Sequence, residues 1–400
     1  MSKFKFARLI SAVLLMGIIF YGLIGFSQSP KSTVKVTAEP PISQVLPFEA
    51  EAFTPLGSNQ PPSPVRLTLQ AVDASGQPLE NAQVHLQILT PPKNPWFTTD
   101  FPIVEGTKLL DIEAIAPQGK LQVQQTLPIR GTYKLLVNVT PTVTNAFTPI
   151  QQTLTLAIPE NQLKYRYLGI LVAILLIVGV GGGLVIGGKQ QIKPGEIAPQ
   201  QVRLLLSGLV VVAIASLLIV NISAEMAESH AHELPHAYQM QTTPDVVNSS
   251  GLKLQISGDN HALVGQVANL QVQAIDTKTN QPATDVVFNV KTTQLENNWV
   301  AFAYQGIPNP SGKLAWQQQF FDGATHKLEV EVFPQPNTAR QFQPFKASQE
   351  IEVEGVAPPI TVRLIGLAYF TGIVVLGLAI GLWLKRRNWA WLSQSMNNGF

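Results

Sequence analysis

No cysteine occurs in the 400 residues, and that absence removes disulfide bridges, thiolate nucleophiles and thiolate metal sites together. Charge is scarce as well. Only 13% of residues are Asp, Glu, Lys or Arg, and 27 basic against 25 acidic side chains leave a formal net charge of +2. Such a balance lacks the broad basic footprint that a nucleic-acid backbone requires, so no nucleic-acid partner is expected. Three catalytic signatures are missing too: there is no phosphate loop, no dinucleotide fingerprint after a strand and no G-x-S-x-G elbow. The chain is therefore not expected to be an enzyme. Asp111 with Glu113, and Glu350 with Glu352 and Glu354, are spaced two apart. That is the pattern of a solvated sheet face rather than of a catalytic dyad.

Apolar sequence fills the space, with 46% hydrophobic residues. Four stretches, 7–26, 167–187, 204–222 and 364–384, each approach the roughly 20 apolar residues needed to cross about 30 Å of hydrocarbon. None carries a charge in its middle, which argues against an ion or proton pathway. Lys3, Lys5 and Arg8 flank the first, Lys189, Lys193 and Arg203 lie between the second and third, and Lys385, Arg386 and Arg387 follow the fourth. By the positive-inside rule all of these face the cytoplasm. The expectation is a multi-pass protein of a bacterial inner (plasma) membrane, with both termini cytoplasmic and the regions between spans in the periplasm. Lys164 and Arg166 run against the pattern. The first stretch has the basic start of a signal peptide but a long apolar run and no clean A-x-A site, and Ser223-Ala224-Glu225-Met226-Ala227 offers a possible cleavage site after the third. Gly179, Gly183 and Gly187, and also Gly377 and Gly381, recur every four residues, placing small residues on one helix face.

Between the spans the chain repeats itself about 200 residues apart. QAVDASGQPLENAQVHLQI from Gln70 and GKLQVQQTLPIRGTYKLLVNVTP from Gly119 are matched by QAIDTKTNQPATDVVFNV from Gln273 and GKLAWQQQFFDGATHKLEVEVFP from Gly312. Short alternating runs such as Arg66 to Val72, Val84 to Ile88 and Tyr133 to Val139, with turns such as Ser75-Gly76-Gln77-Pro78, predict strands at sandwich spacing. The expected fold class is all-β extracytoplasmic domains, two immunoglobulin-like sandwiches at 65–159 and 251–356, plus four transmembrane α-helices. A linker at 30–64, a cytoplasmic loop at 188–203, a His-rich linker at 225–250 and a cytoplasmic tail at 385–400 complete the chain. In the repeat, His326 stands where the first half has Tyr133 and His85 where the second has Asn289, so both histidines are expected to be structural. Trp299, Phe302, Tyr304 and Trp316 read as core or edge aromatics.

Half of the six histidines fall in Ser229-His230-Ala231-His232-Glu233-Leu234-Pro235-His236-Ala237-Tyr238-Gln239-Met240. Imidazole nitrogens at this density can bind Cu(II), Ni(II) or Zn(II), and thioethers add affinity for Cu(I). The candidate metal ligands are His230, His232, His236 and Met240. The competing reading is a solvated linker beside the membrane.

Two resemblances bear on this. Asp73-Ala74-Ser75-Gly76-Gln77-Pro78-Leu79-Glu80-Asn81-Ala82-Gln83-Val84 resembles a turn common in bacterial immunoglobulin-like modules, which marks a sandwich rather than a function. The second half, roughly 203–387, resembles in layout the small periplasmic YtkA-like domains and, more distantly, the copper-resistance CopC family, whose mature chains often begin with copper-binding histidines. His230-Ala231-His232 carries that likeness, and the chain departs from it at Glu233-Leu234-Pro235-His236. The resemblance implies a membrane-anchored periplasmic accessory protein in copper or other transition-metal handling or efflux, working beside a membrane or periplasmic protein. The alternative is a scaffold that presents two domains to such a partner with no metal role.

Overall fold

The computed structural model describes residues 31–45, 64–160, 162–187, 202–208, 245–336 and 338–397, with a few single residues between them. The first half forms β1 (Thr33–Glu39), β2 (Val65–Val72), β3 (Ala82–Leu89), β4 (Lys108–Ala116), β5 (Lys120–Gln125), β6 (Gly131–Pro141) and β7 (Ile150–Ile158). The second forms β8 (Asp245–Ser249), β9 (Leu252–Gly258), β10 (His261–Leu263), β11 (Val267–Asp276), β12 (Val286–Gln294), β13 (Val300–Gly306), β14 (Lys313–Gln319), β15 (His326–Pro334) and β16 (Phe345–Glu354). Period-two patterning explains them: in β3 the side chains of Ala82, Val84, Leu86 and Ile88 are buried while Gln83, His85 and Gln87 are half-exposed. Two long helices, α1 (Gln162–Ile186) and α2 (Ile360–Asn397), follow β7 and β16.

The sandwich holds, and its two sheets are shared between the halves. One sheet runs β1-β2-β5-β13-β12-β15-β16-β10 and the other β7-β6-β3-β4-β14-β11-β9-β8. The halves meet twice, where β5 pairs with β13 (Val123 opposite Tyr304, Gln125 opposite Phe302) and where β14 pairs with β4 (Trp316 opposite Ile112, Gln318 opposite Leu110). The orders exchange: β1-β2-β5 in one sheet occupies the place of β9-β11-β14 in the other, and β13-β12-β15-β16 that of β4-β3-β6-β7. A two-fold relation of this kind is the geometry of an isologous dimer, here within one chain. One continuous core results, reaching from Val34 to Val353.

Local chemistry is repeated with the order. The Ala71 amide donates to the Gly119 carbonyl at 2.8 Å and the Ala274 amide to that of Gly312 at 2.9 Å. Both glycines have positive φ, +65° and +68°, and a Cβ would press into the Leu79 carbonyl at 2.6 Å or the Ala274 carbonyl at 2.7 Å. Only glycine fits either corner.

The expected four transmembrane helices are corrected to two among the described residues: Lys164–Ile186 and Ile360–Arg387 are long and apolar enough to cross a membrane. The stretch 7–26 lies outside the described residues, and of 204–222 only the first residues are described, within a helical segment at 202–208. Both long helices leave most of their apolar side chains exposed, as a core helix of a soluble protein would not. They run parallel and pack through the glycines. A Cβ on Gly377 would lie 2.7 Å from the Leu176 carbonyl and 3.1 Å from Gly179 Cα, and one on Gly183 would lie 2.9 Å from Gly381 Cα. Small residues four apart on each helix let the two backbones approach this closely.

Candidate functional site

The predicted ligands His230, His232, His236 and Met240 lie within 209–244, outside the described residues. Among the described residues no three His, Asp or Glu side chains are placed to hold a metal ion. Three other polar assemblies stand out.

The first spans the seam on the outer face of one sheet. Asp111 in β4 accepts hydrogen bonds from Lys108 Nζ at 2.6 Å and Gln87 Nε2 at 2.9 Å, with His85 Nε2 2.6 Å away. Lys108 also donates to Gln317 Oε1 at 3.0 Å, Gln317 to Asn269 Oδ1 at 2.8 Å, and the Asn269 amide to Asp259 at 2.7 Å. Burial would push the Asp111 carboxyl upward, but the hydrogen bonds from Lys108 and His85 outweigh it and hold it below the usual carboxylate range. Asp111 is therefore a half-buried acceptor that orients Lys108, whose bond to Gln317 crosses the seam, and not the solvated acid its spacing suggested. His85 serves the same carboxylate, a structural role.

The second is His326, fully buried at the start of β15. Its Nδ1 bonds the Ala324 carbonyl at 2.8 Å, its ring packs against Phe320 and Trp299, and its Nε2 has no hydrogen-bond partner. Burial pushes the imidazole down to about 4, so it is neutral. His261, in turn, lies exposed 3.4 Å from Glu352.

The third, and the candidate functional site, is an open groove of about 1340 Å³ where α1 and α2 leave the sandwich. Its upper rim is ionic. Arg130 pairs with Glu160, and Lys164 pairs with Asp100 and stands 3.9 Å from a second oxygen of Glu160. This accounts for Lys164, whose charge on the outer side ran against the positive-inside pattern. The walls are aromatic. Asn94 Oδ1 accepts from the amides of Trp96 and Phe97, a turn that holds these two side chains outward at 66% and 68% exposure. Phe97 stacks on Tyr369 of α2 with ring centroids 6.2 Å apart, and the Tyr369 hydroxyl donates to the Trp96 carbonyl at 3.0 Å. The floor is Leu168, Leu171, Ile365 and Phe370 from the two helices. Trp96, Phe97 and the rim residues Asp100, Arg130 and Glu160 were not singled out from the sequence, and Lys164 stood out there only as an exception to the charge pattern. The usable signal was a loop, 90–107, much longer than its counterpart near Trp299.

No protein-family model matches the chain, and no curated protein sequence matches it. Solved structures similar to parts of it include copper-bound FetP of uropathogenic Escherichia coli strain F11 (12% identity, 28% of this chain and 97% of that one, TM-score 0.21). Copper-bound P19 of Campylobacter jejuni (11%, 29% and 99%, 0.21) and the D0-D1 domain of intimin (11%, 80% and 98%, 0.19) are further examples. TM-scores this low carry no functional argument, and the YtkA-like membership is not shown. What stands is a β-sandwich, argued from its own strand order, joined to two helices of membrane-spanning length.

Proposed function

We propose that this chain is a non-enzymatic accessory protein anchored in a bacterial inner membrane, which presents a rigid, doubled sandwich in the periplasm to a membrane or periplasmic protein partner. The observation that supports this most directly is mechanical continuity. Both sheets cross from one half to the other by backbone pairing, and the helices that follow the two halves lock together through glycine. Separate binding modules joined by a flexible linker would need neither. The likeness between the two halves supports descent from a duplicated unit. Alkaline carbonate washing of membranes, with protease added outside spheroplasts, tests the placement. The chain should stay with the membrane while the sandwich is digested, and recovery in the soluble fraction would sink the reading.

A second reading, transition-metal handling through His230, His232, His236 and Met240, is favoured by three imidazoles within seven residues. Calorimetric titration of the full chain with Cu(II), Ni(II) and Zn(II), against a variant carrying His230→Ala, His232→Ala and His236→Ala, decides it. Binding at micromolar or tighter level that vanishes in the variant supports the reading, and its absence removes it.

A further inference from the structure

The groove is larger than the roughly 300–1,000 Å³ of an ordinary small-molecule pocket, and its polarity is graded along one direction. Arg130, Glu160, Lys164 and Asp100 gather at the rim, and Leu168, Leu171, Ile365 and Phe370 line the part that follows α1 and α2 downward. From Lys164 to Leu171 is two turns of helix, or about 10 Å. The apolar part is continuous with the exposed apolar surface of both helices. Trp96, Phe97, Tyr165, Tyr167 and Tyr369 stand at the level where the sandwich meets the helices, the position of an aromatic belt at a membrane interface.

Resting on the membrane placement above, we propose that the groove holds one zwitterionic phospholipid of the outer leaflet. Its headgroup sits at the ionic rim and an acyl chain lies against the helix pair. Charge complementarity sets the headgroup. The rim carries two cations and two carboxylates, paired with one another and partly withdrawn from water, with side-chain exposures from 8% for Glu160 to 31% for Arg130. A phosphate beside Arg130 and Lys164 with an ammonium beside Asp100 and Glu160 leaves every charge opposed by its opposite. A headgroup that is only anionic sets its charge against the two carboxylates. Apolar continuity sets the chain: the floor opens onto the surface that lipid tails already cover, so a tail enters without crossing water.

The test uses the full chain in nanodiscs containing equal amounts of phosphatidylethanolamine and phosphatidylglycerol, with native mass spectrometry of the released protein. One retained phosphatidylethanolamine is expected, favoured at least tenfold over phosphatidylglycerol. Gly366 lines the groove, and a Cβ there meets nothing within 4 Å. Gly366→Phe therefore fills the space and should cut retention at least tenfold. Lys164→Gln, which leaves the apolar floor intact, should weaken phosphatidylethanolamine retention. Leu171→Trp is a second filler should Gly366→Phe fold poorly. No retained lipid, equal retention of both headgroups, a bound peptide in place of lipid, or fillers that retain as much as the parent overturns the proposal. A chain washed out of membranes by carbonate instead defeats the membrane placement itself. An integral chain with an empty groove defeats only the lipid assignment.

Discussion

The two halves of the molecule build the same strand framework and then treat equivalent positions differently. At the start of β6, the counterpart of β15, the first half buries Tyr133, whose hydroxyl donates to the Ile129 carbonyl at 2.7 Å and accepts from the Ile129 amide at 2.9 Å. This is the tyrosine-corner arrangement of immunoglobulin-like sandwiches. In the second half His326 fills that space with one nitrogen unpartnered. The loop after β3 carries Asn94-Pro95-Trp96 and the loop after β12 carries Asn297-Asn298-Trp299, yet Trp96 is exposed while Trp299, which holds the place of Thr107 in the register, is buried and stacked on Phe321 at 5.0 Å. The longer first-half loop explains the exchange. Its Phe101 and Val104 close over Trp299 and Phe321 in a small separate core, while its Trp96 and Phe97 turn to the helices. A shared framework thus tolerates specialisation in one loop, and the halves diverge where they touch their surroundings.

That contrast can be broken at four places. The largest effect belongs to Tyr133→Ala, which removes a fully buried aromatic and both of its hydrogen bonds and should cost about 3–5 kcal/mol in denaturant unfolding. His326→Ala should cost clearly less, and equal losses would erase the distinction between the corners. Next comes acid sensitivity. The folded-state imidazole of His326 sits at about 4 against 6.5 in the unfolded chain, so the unfolded state binds the extra proton between those values. Stability is full above pH 6.5 and falls by about 3 kcal/mol as pH drops toward 4. His326→Phe should flatten this window relative to the parent, and the first half, with Tyr133 in that place, has no equivalent. If the variant and parent fall in parallel, the buried imidazole is not the cause.

The helices give a third, smaller test. Gly183→Leu overpacks the contact with α2 and should cost about 1–3 kcal/mol, whereas Gly181, whose Cβ would meet nothing within 4 Å, should accept leucine without loss. Matching melts for the two variants in nanodiscs would dissolve the glycine pairing. The smallest effect is at Arg340, which bonds Asp285 and Asp276, each at 2.7 Å, whereas among the described residues the matching Asp73 has no basic partner. The Thr279 amide, Arg340 and the Lys278 amide hold the Asp276 carboxyl low, so this stabilisation is present above about pH 4 and fades below it. Arg340→Ala should lower the melting temperature at pH 7 by no more than about 2–4 °C. It should leave the Asp73 turn, held by Ser75 and Gln77, as it was.

Much of this was legible from residues alone. β2, β3 and β6 declare themselves by alternation, and the glycine spacing of the helices named the face they share. The seam was not legible. Nothing in Leu110-Asp111-Ile112 or Trp316-Gln317-Gln318 distinguishes a strand with a free edge from one paired to the other half, because backbone pairing leaves no mark on side-chain order. The groove was hidden for a related reason: Asp100, Arg130, Glu160 and Lys164 are scattered over 64 positions and meet only after β7 hands the chain to α1. The four expected spans were read from apolar length alone, and two are seen among the described residues. The histidine cluster at 230–236, lying outside them, stays where its sequence put it, as a proposal.

Pairing β5 with β13 and β4 with β14 has one further consequence, and it concerns mass action. A contact of the same geometry between two separate chains would dissociate on dilution, its occupancy set by the concentration of the protein. Held in one polypeptide, the two faces meet at an effective concentration fixed by the connection between them. Each is already occupied, so neither is left open to recruit another copy. The doubled platform therefore exists at one copy per chain however little of the protein a cell makes.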